Sequence, residues 1–492
     1  MALKNSNVAK NFIYNVSYQI LLMVTPLITA PYLSRVLGAD GVGSFSYTYG
    51  IANYFVLVAM LGINNHGCRV IARAGDDIKL RSKSFFEVYA VQVISSGVAF
   101  FIYMLYVCFV PSDSAQRPLA FIWVLYVVSA ALDINWLFFG LEKFRITVTR
   151  NAIIKIATIC VMFLMVRKPG DVSSYTLLYS GSLLLSQLVL WPFAKRYLVF
   201  TRPRARNIWK QFKSCVVLFI PVISVSLYTS VNTLVLGTFG TMADVGVYDY
   251  AMRFIGIPAA LINSLGTVMM PRMIAVSSKS EQEGARYIRL SMGVAMLLLG
   301  AFSFGLVGIS HYLSTVFLGD GFEECEYMLK VLAVSTPFIA WANVLRTQYL
   351  IPRNRDRSYI ISVVSGAVAN ILLALVLVRS AGAFGMAIGY TIAQAVVCLV
   401  QTVSVWTELP LVSYFKESFP FLGLGLIMSE IVSFSECFLP SNMTGLGLEI
   451  LIGAVSYLAL VIIYSRFSSN ETASLVVNIA RFGVRKFIGG KI

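Results

Sequence analysis

The stretch from Pro26 to Arg69 reads PLITAPYLSRVLGADGVGSFSYTYGIANYFVLVAMLGINNHGCR. An apolar helix carrying Pro26 and Pro31 reaches Arg35 and turns through Gly38, Asp40, Gly41 and Gly43. It then re-enters as a second apolar helix with Asn53 inside it. In water this hairpin makes little sense. In a bilayer, prolines, glycines and a charge persist at membrane depth where neighbouring protein or a water-filled cavity covers the backbone. The stretch therefore reads as two membrane helices joined by a tight turn.

Working outward, the same pattern returns about two hundred residues later. Pro26-Leu27-Ile28, Val36-Leu37-Gly38 and Val42-Gly43 in the first copy answer to Pro221-Val222-Ile223, Val235-Leu236-Gly237 and Val245-Gly246 in the second. The interval from Tyr47 to Arg69 is 22 residues, as is that from Tyr250 to Arg272. Internal repeats on this scale build many transporters, with the substrate site between the halves.

The composition carries the membrane reading to the whole chain. Of 492 residues, 58% are hydrophobic and only 13% charged, with a mean hydropathy of +0.77. Soluble domains are about 25% charged. Fourteen apolar runs follow one another from 12–33 to 445–465, each near the ~20 residues that cross the hydrocarbon core. The expected fold is all-α and integral to the membrane, with about 14 transmembrane helices. The run after the basic N-terminus is too long for a signal-peptide core, so it reads as an uncleaved first helix.

Orientation follows from Lys and Arg. With the N-terminus inside, 31 of the 39 fall on the inside and six outside. Both termini are then cytoplasmic, as an even number of spans requires. The net charge of +16 is accounted for by topology and by attraction to anionic membrane lipids, and no nucleic-acid partner is implied. The repeat divides the chain into a six-helix lobe at 1–200, a second at 201–410, and two further helices with a basic tail at 411–492. With six spans each, the repeat is parallel.

Charges at membrane depth are functional hypotheses by default. Arg253 either faces a central cavity or pairs with Asp249 one turn back on the same helix face. Lys155 and Asp133 should lie at similar depth on neighbouring helices, and a structural pair between them is the plainer expectation, with anion binding by Lys155 second. Arg35 either snorkels to the interface or points inward where Pro31 opens the helix. Glu430 has no evident partner in sequence. Asn232, Asn370, Thr391 and Gln394 are uncharged polar residues of the second lobe. They suit a cation or polar site, although interhelical hydrogen bonds are the commoner use. Seven scattered cysteines and two distant histidines give no metal site, no cofactor is implied, and no enzyme motif appears.

Pro31-Tyr32-Leu33-Ser34-Arg35-Val36-Leu37-Gly38 with Gly41-Val42-Gly43, then Trp136-Leu137-Phe138-Phe139-Gly140-Leu141-Glu142-Lys143-Phe144, then Val245-Gly246-Val247-Tyr248, together resemble the Wzx-type O-antigen and polysaccharide flippases of the MOP (MATE-like) superfamily. The resemblance covers most of residues 10–405. It implies a substrate, an oligosaccharide repeat unit on undecaprenyl diphosphate, moved from the cytoplasmic to the periplasmic leaflet by alternating access. It implies cavity cations for the diphosphate, with Arg35 and Arg253 matching in kind and Lys155 more loosely. A polysaccharide polymerase and a chain-length regulator are the implied partners. Cation-coupled relatives carry acidic residues where Asn232 and Asn370 stand here, which puts sodium coupling in doubt. The alternative is a MATE-like exporter of drugs or organic cations. It would need a deep carboxylate, for which Asp133 and Glu430 are the candidates.

Overall fold

The computed structural model describes residues 2–109, 116–277 and 281–474, which are helical with short connections and contain no strand. Side chains before Val24 lie outside the described residues, as do several within 220–230 and 267–281, among them Pro221 and Arg272 of the second repeat copy, and the basic tail after 474. The chain forms two compact units, Met1–Gly246 and Val247–Ile492.

The first unit holds α1 (Ala2–Met60), α2 (Ile63–Ala74), α3 (Ile78–Phe109), α4 (Gln116–Ile122), α5 (Val124–Leu132), α6 (Asn135–Gly140), α7 (Phe144–Met165), α8 (Val172–Leu188), α9 (Trp191–Ala194) and α10 (Ala205–Phe239). α11 (Met242–Ser277) begins in it. The turn expected after Arg35 is a single break in α1, at Gly38 (φ 68°, ψ 176°). That backbone geometry is open to glycine and strained for any other residue. α1 packs on α3, α5, α7, α8 and α10. The Tyr32 hydroxyl donates to the Val166 carbonyl at 2.6 Å, fixing the proline-bearing part of α1 to the end of α7.

The tryptophan motif forms α6. Trp136, Leu137 and Phe138 are fully buried, and the chain leaves the helix through Glu142 at φ 55°. Trp136 Nε1 donates to Gln92 Oε1 at 3.1 Å, and Gln92 Nε2 donates to the carbonyls of Ala130 and Asp133 at 2.7 and 2.8 Å. α2 lies directly on the indole because position 67 is glycine. A Cβ there would stand 2.4 Å from the ring.

The two copies of the repeat touch. A Cβ on Gly43 would stand 1.7 Å from the Met242 carbonyl oxygen, and one on Gly246 would stand 2.2 Å from the Ala39 carbonyl oxygen. One on Gly237 would enter the Tyr47 ring. The glycines that mark the repeat in sequence are thus the points where α1 meets α10 and the start of α11. Close backbone approach at small residues is how helices associate in lipid.

The second unit continues α11 and adds α12 (Glu281–Gly308), α13 (Ser310–Tyr312) with a π-helical turn Leu313–Leu318, α14 (Cys325–Ala333), α15 (Ser335–Leu345) with a π-helical turn Arg346–Leu350, α16 (Asp356–Ser404), α17 (Leu411–Ser435) and α18 (Met443–Phe467). α16 breaks at Ala381–Gly382, with Gly382 at φ 52°. α17 lies along α12, where Gly300 and Gly425 bring the backbones together. Tyr457 of α18 donates to the Leu297 carbonyl at 2.8 Å. The two helices beyond the repeat are therefore bonded to α12.

Eleven helical stretches among the described residues are long and apolar enough to cross a membrane. Two of them, Val24–Ala74 and Asp356–Ser404, have 51 and 49 residues, far more than the ~20 one crossing needs. Each contains its break where the sequence places a connection. Outward-facing Leu164, Val376, Phe434 and Leu451 are 59–70% exposed. A soluble surface rarely carries apolar area so continuous, whereas lipid requires it.

Candidate functional site

Arg253 lies in the first half of α11. Its guanidinium bonds the Asp249 carboxylate at 2.8 Å, one turn earlier, and sits 5.4 Å from the centre of the Tyr250 ring. Tyr250 is buried, whereas the Arg253 side chain is 41% exposed. The same-helix pair is thus real, and it holds the cation in one place while leaving part of it open. Arg35 is exposed, three residues before the Gly38 break.

The expected pair between Lys155 and Asp133 does not form. Asp133 ends α5 and accepts from the Asn135 backbone N–H at 2.9 Å and from Asn135 Nδ2 at 2.7 Å, so its oxygen caps α6. Arg150 is the cation in its neighbourhood. Lys155 is half-buried on α7 and makes no ion pair among the described residues. The physical reason is the break at Asp133–Ile134, which turns the carboxylate toward the chain that follows it and away from α7 at Lys155.

Arg150 is a buried cation that sequence reading missed. It is 6% exposed. Its Nη2 donates to Asn135 Oδ1 at 2.9 Å, and its Nη1 donates to the Ser186 carbonyl and to Gln187 Oε1. Ser186 Oγ in turn bonds Asn151 Oδ1 at 3.2 Å. Asp133, Asn135, Arg150 and Gln187 form one polar network joining α6, α7 and α8. At the inner end of an apolar run Arg150 reads as an ordinary flanking charge, and no local signal marks it.

The four polar residues singled out in the second lobe divide between the two compact units. Asn232 is fully buried on α10 in the first unit, and Asn370, also fully buried, is on α16 in the second. Thr391 Oγ1 donates to its own helix at Ala387 and across to the Val331 carbonyl of α14 at 3.2 Å. Gln394 bonds Tyr390 one turn back. Interhelical and local hydrogen bonding is the visible use of Thr391 and Gln394. Glu430 is exposed on α17. Among the described residues no group of three His, Cys, Asp or Glu is placed to hold a metal.

An aromatic cluster that composition alone did not locate lies in the first unit. Phe45, Tyr49, Trp123, Tyr126, Tyr175 and Tyr179 converge from α1, α5 with its preceding residue, and α8. Trp123 Nε1 donates to Thr48 Oγ1 at 3.0 Å. The Tyr126 hydroxyl donates to Asn53 Oδ1 at 3.0 Å, which explains the asparagine inside that span. Trp123 and Phe45 are buried, whereas Tyr49, Tyr126 and Tyr179 keep part of each ring accessible. Tyr49 and Tyr126 stack at 5.6 Å and 19°. Rings held this way offer flat faces and a few hydroxyls, which is the chemistry a sugar meets in a protein.

The second unit contains a mostly apolar cavity and a more polar one. The larger of these, about 760 Å³, is walled by Met296, Trp341, Leu399 and Phe415, with Thr402 and Ser418 among its lining residues and no cation to meet a phosphate. The smaller, about 350 Å³, is lined by Gln348, Tyr349, Arg353 and Glu408.

With this geometry in view, a family model described as polysaccharide biosynthesis protein matches residues 8–277, more than half of the chain. The chain belongs to the polysaccharide biosynthesis protein family. It is a multi-pass membrane protein. It is similar to a putative O-antigen transporter of Shigella dysenteriae, 23% identical over 76% of this chain and 94% of that one. It is also similar to a probable low-salt glycan biosynthesis flippase, Agl15, of Haloferax volcanii, 25% identical over 51% and 52% of the two chains. Among solved structures it shares the fold of the lipid II flippase MurJ in an inward closed conformation, with a TM-score of 0.70, 16% identity, and coverage of 92% of this chain and 99% of that one. A MATE multidrug transporter of the MOP superfamily, inward-facing, gives a TM-score of 0.54 at 16% identity over 80% and 99%. The expected all-α, multi-pass membrane fold is the one found, with eleven spanning-length stretches among the described residues.

Proposed function

We propose that this member of the polysaccharide biosynthesis protein family is a flippase for a lipid-linked oligosaccharide, carried on undecaprenyl diphosphate from the cytoplasmic to the periplasmic leaflet of a bacterial inner membrane. The observation that carries the reading is the match along 94% of a putative O-antigen transporter, on a fold shared with a lipid II flippase. In this reading fourteen helices form two six-helix lobes, 1–200 and 201–410, that alternate access around the head group. The two helices and tail of 411–492 stand beside them, and both termini are cytoplasmic.

The chemistry of the substrate divides among residues already described. The diphosphate requires cations to leave water, and Arg253, Arg35 and Lys155 are the proposed ones; a guanidinium binds phosphate oxygens in pairs. Asp249 orients Arg253 and lowers the cost of keeping it at membrane depth. The sugar rings meet the faces of Tyr49, Tyr126 and Tyr179. An inside-negative potential drives outward movement of an anion by about 2.3 kcal/mol per charge per 100 mV. The product is consumed by glycosyl transfer on the far side, the work of a polymerase with its chain-length regulator.

Deleting the gene in its own host tests this. The expected result is loss of surface polysaccharide with lipid-linked repeat units accumulating on the cytoplasmic leaflet. Normal polysaccharide together with increased sensitivity to organic cations would replace the reading with drug export.

A further inference from the structure

At one end of the second unit several elements begin or finish close together. α12 runs into α13 at His311, α14 starts at Cys325, α17 ends at Ser435 before the turn Glu436–Phe438, and α18 starts at Met443. His311 lies between two carboxylates. Its Nδ1 is 2.9 Å from Glu326 Oε2, and its Nε2 is 3.4 Å from Glu436 Oε1. Lys330 Nζ is 2.6 Å from the other Glu326 oxygen. Glu449, in the second turn of α18, is fully buried. Neither of its carboxylate oxygens has a hydrogen-bond partner among the described residues. Its electrostatic neighbours are Glu436 and His311, and the Tyr312 ring adjoins it.

The elements packed on α18 supply no further compensating charge. Those of α12 are confined to its first nine residues, at the opposite end, and the turn Leu313–Leu318 has none. On α17, Glu430 is exposed. The balance can therefore be counted. A carboxylate only accepts, so it needs a donor or a cation beside it. Lys330 offsets Glu326, and the half-exposed His311 ring stands between Glu326 and Glu436. Glu449 is then left over, and an ionised carboxylate with no partner in a fully buried position is strongly disfavoured.

The geometry points to a proton-binding site at this end of the second unit. It holds one proton, on Glu449, and its occupancy keeps α18 seated against α12, α17 and the turn Leu313–Leu318. The site stands apart from whatever the protein carries. As pH rises, loss of the Glu449 proton strands a buried charge with no partner beside it. The seating of α18 is therefore firm at low and neutral pH and weakens toward alkaline pH.

Infrared spectra of the purified full-length chain in lipid nanodiscs, titrated with pH, test this directly. A protonated-carboxyl stretch present in the wild type at neutral pH should be absent from Glu449→Gln. That variant should fold, because the amide is a neutral isostere of the acid. Its heat stability should lose most of the alkaline fall that the wild type shows. Identical carboxyl bands in the wild type and Glu449→Gln would overturn the inference, and so would identical pH dependence of their stability. Failure of both Glu449→Gln and Glu449→Met to fold would do the same, since a neutral acid tolerates neutral replacement.

Discussion

Replacing Gly43 by alanine adds one methyl group where the repeat copies meet, and its effect follows from opposing terms. A helical alanine is favoured over glycine by about 0.5–1 kcal/mol. Against this, the new Cβ would lie 1.7 Å from the Met242 carbonyl oxygen, a backbone atom that no side-chain rotation can move. Such overpacking costs about 1–3 kcal/mol, so the net loss should be about 0.5–2 kcal/mol. Gly246→Ala meets the Ala39 carbonyl oxygen at 2.2 Å and should lose a similar amount. Because one separation of α1 from α11 relieves both clashes, the double variant should lose clearly less than the sum. Gly97, on α3, is the control: a methyl group added there would meet nothing within 4 Å, so the same change should raise stability. Apparent melting temperatures of the four purified variants in one detergent give the ranking. Gly43→Ala at or above the wild type, or strictly additive losses in the double variant, would refute the close contact.

Other outcomes follow from the polar groups. Arg150→Ala should destabilise the first unit by about 3 kcal/mol, since it leaves Asp133 and Asn135 without their cation, and lower folded yield in membranes measures it. A double-mutant cycle of Lys155→Met with Asp133→Asn should give a coupling below about 0.5 kcal/mol, and a value several times larger would restore the pair that the structure lacks. Arg253→Ala should abolish surface polysaccharide at normal protein level while Arg253→Lys keeps part of it, scored by polysaccharide gels beside an immunoblot. Glu471 is held below the usual glutamate range by its bond to Arg286 and then by the charges of Arg286 and Arg289. A depressed carboxyl contributes fully above its unfolded value of about 4.3 and loses that contribution as pH falls through the lowered value. Docking of the segment after α18 should therefore loosen only in strong acid, by under about 1 kcal/mol because the pair is partly exposed, and limited proteolysis across pH follows it.

The membrane architecture was legible because its signals are local. Apolar run length and the glycine at 38 each report on their own neighbourhood, and α1 breaks at that glycine. Arg253 with Asp249 was legible because a spacing of four residues needs no tertiary knowledge. Asp133 was misread because depth along two helices says nothing about which way a side chain faces after a break. The Arg150 network joins residues 15 to 52 positions apart through the packing of three helices, and the aromatic cluster assembles the same way. The repeat showed that Gly43 and Gly246 correspond, but only coordinates show that they touch.

The claim on which the account turns is that this chain itself moves a lipid-linked oligosaccharide between leaflets. Purified protein in unilamellar vesicles carrying a short-chain, fluorescent, diphosphate-linked oligosaccharide measures it, with an impermeant quencher reporting the exposed leaflet. The account predicts that wild-type vesicles exchange the lipid between leaflets much faster than empty vesicles, and that Arg253→Ala returns the rate to the empty level. Equal rates with and without wild-type protein, under conditions where the protein remains folded, would contradict it.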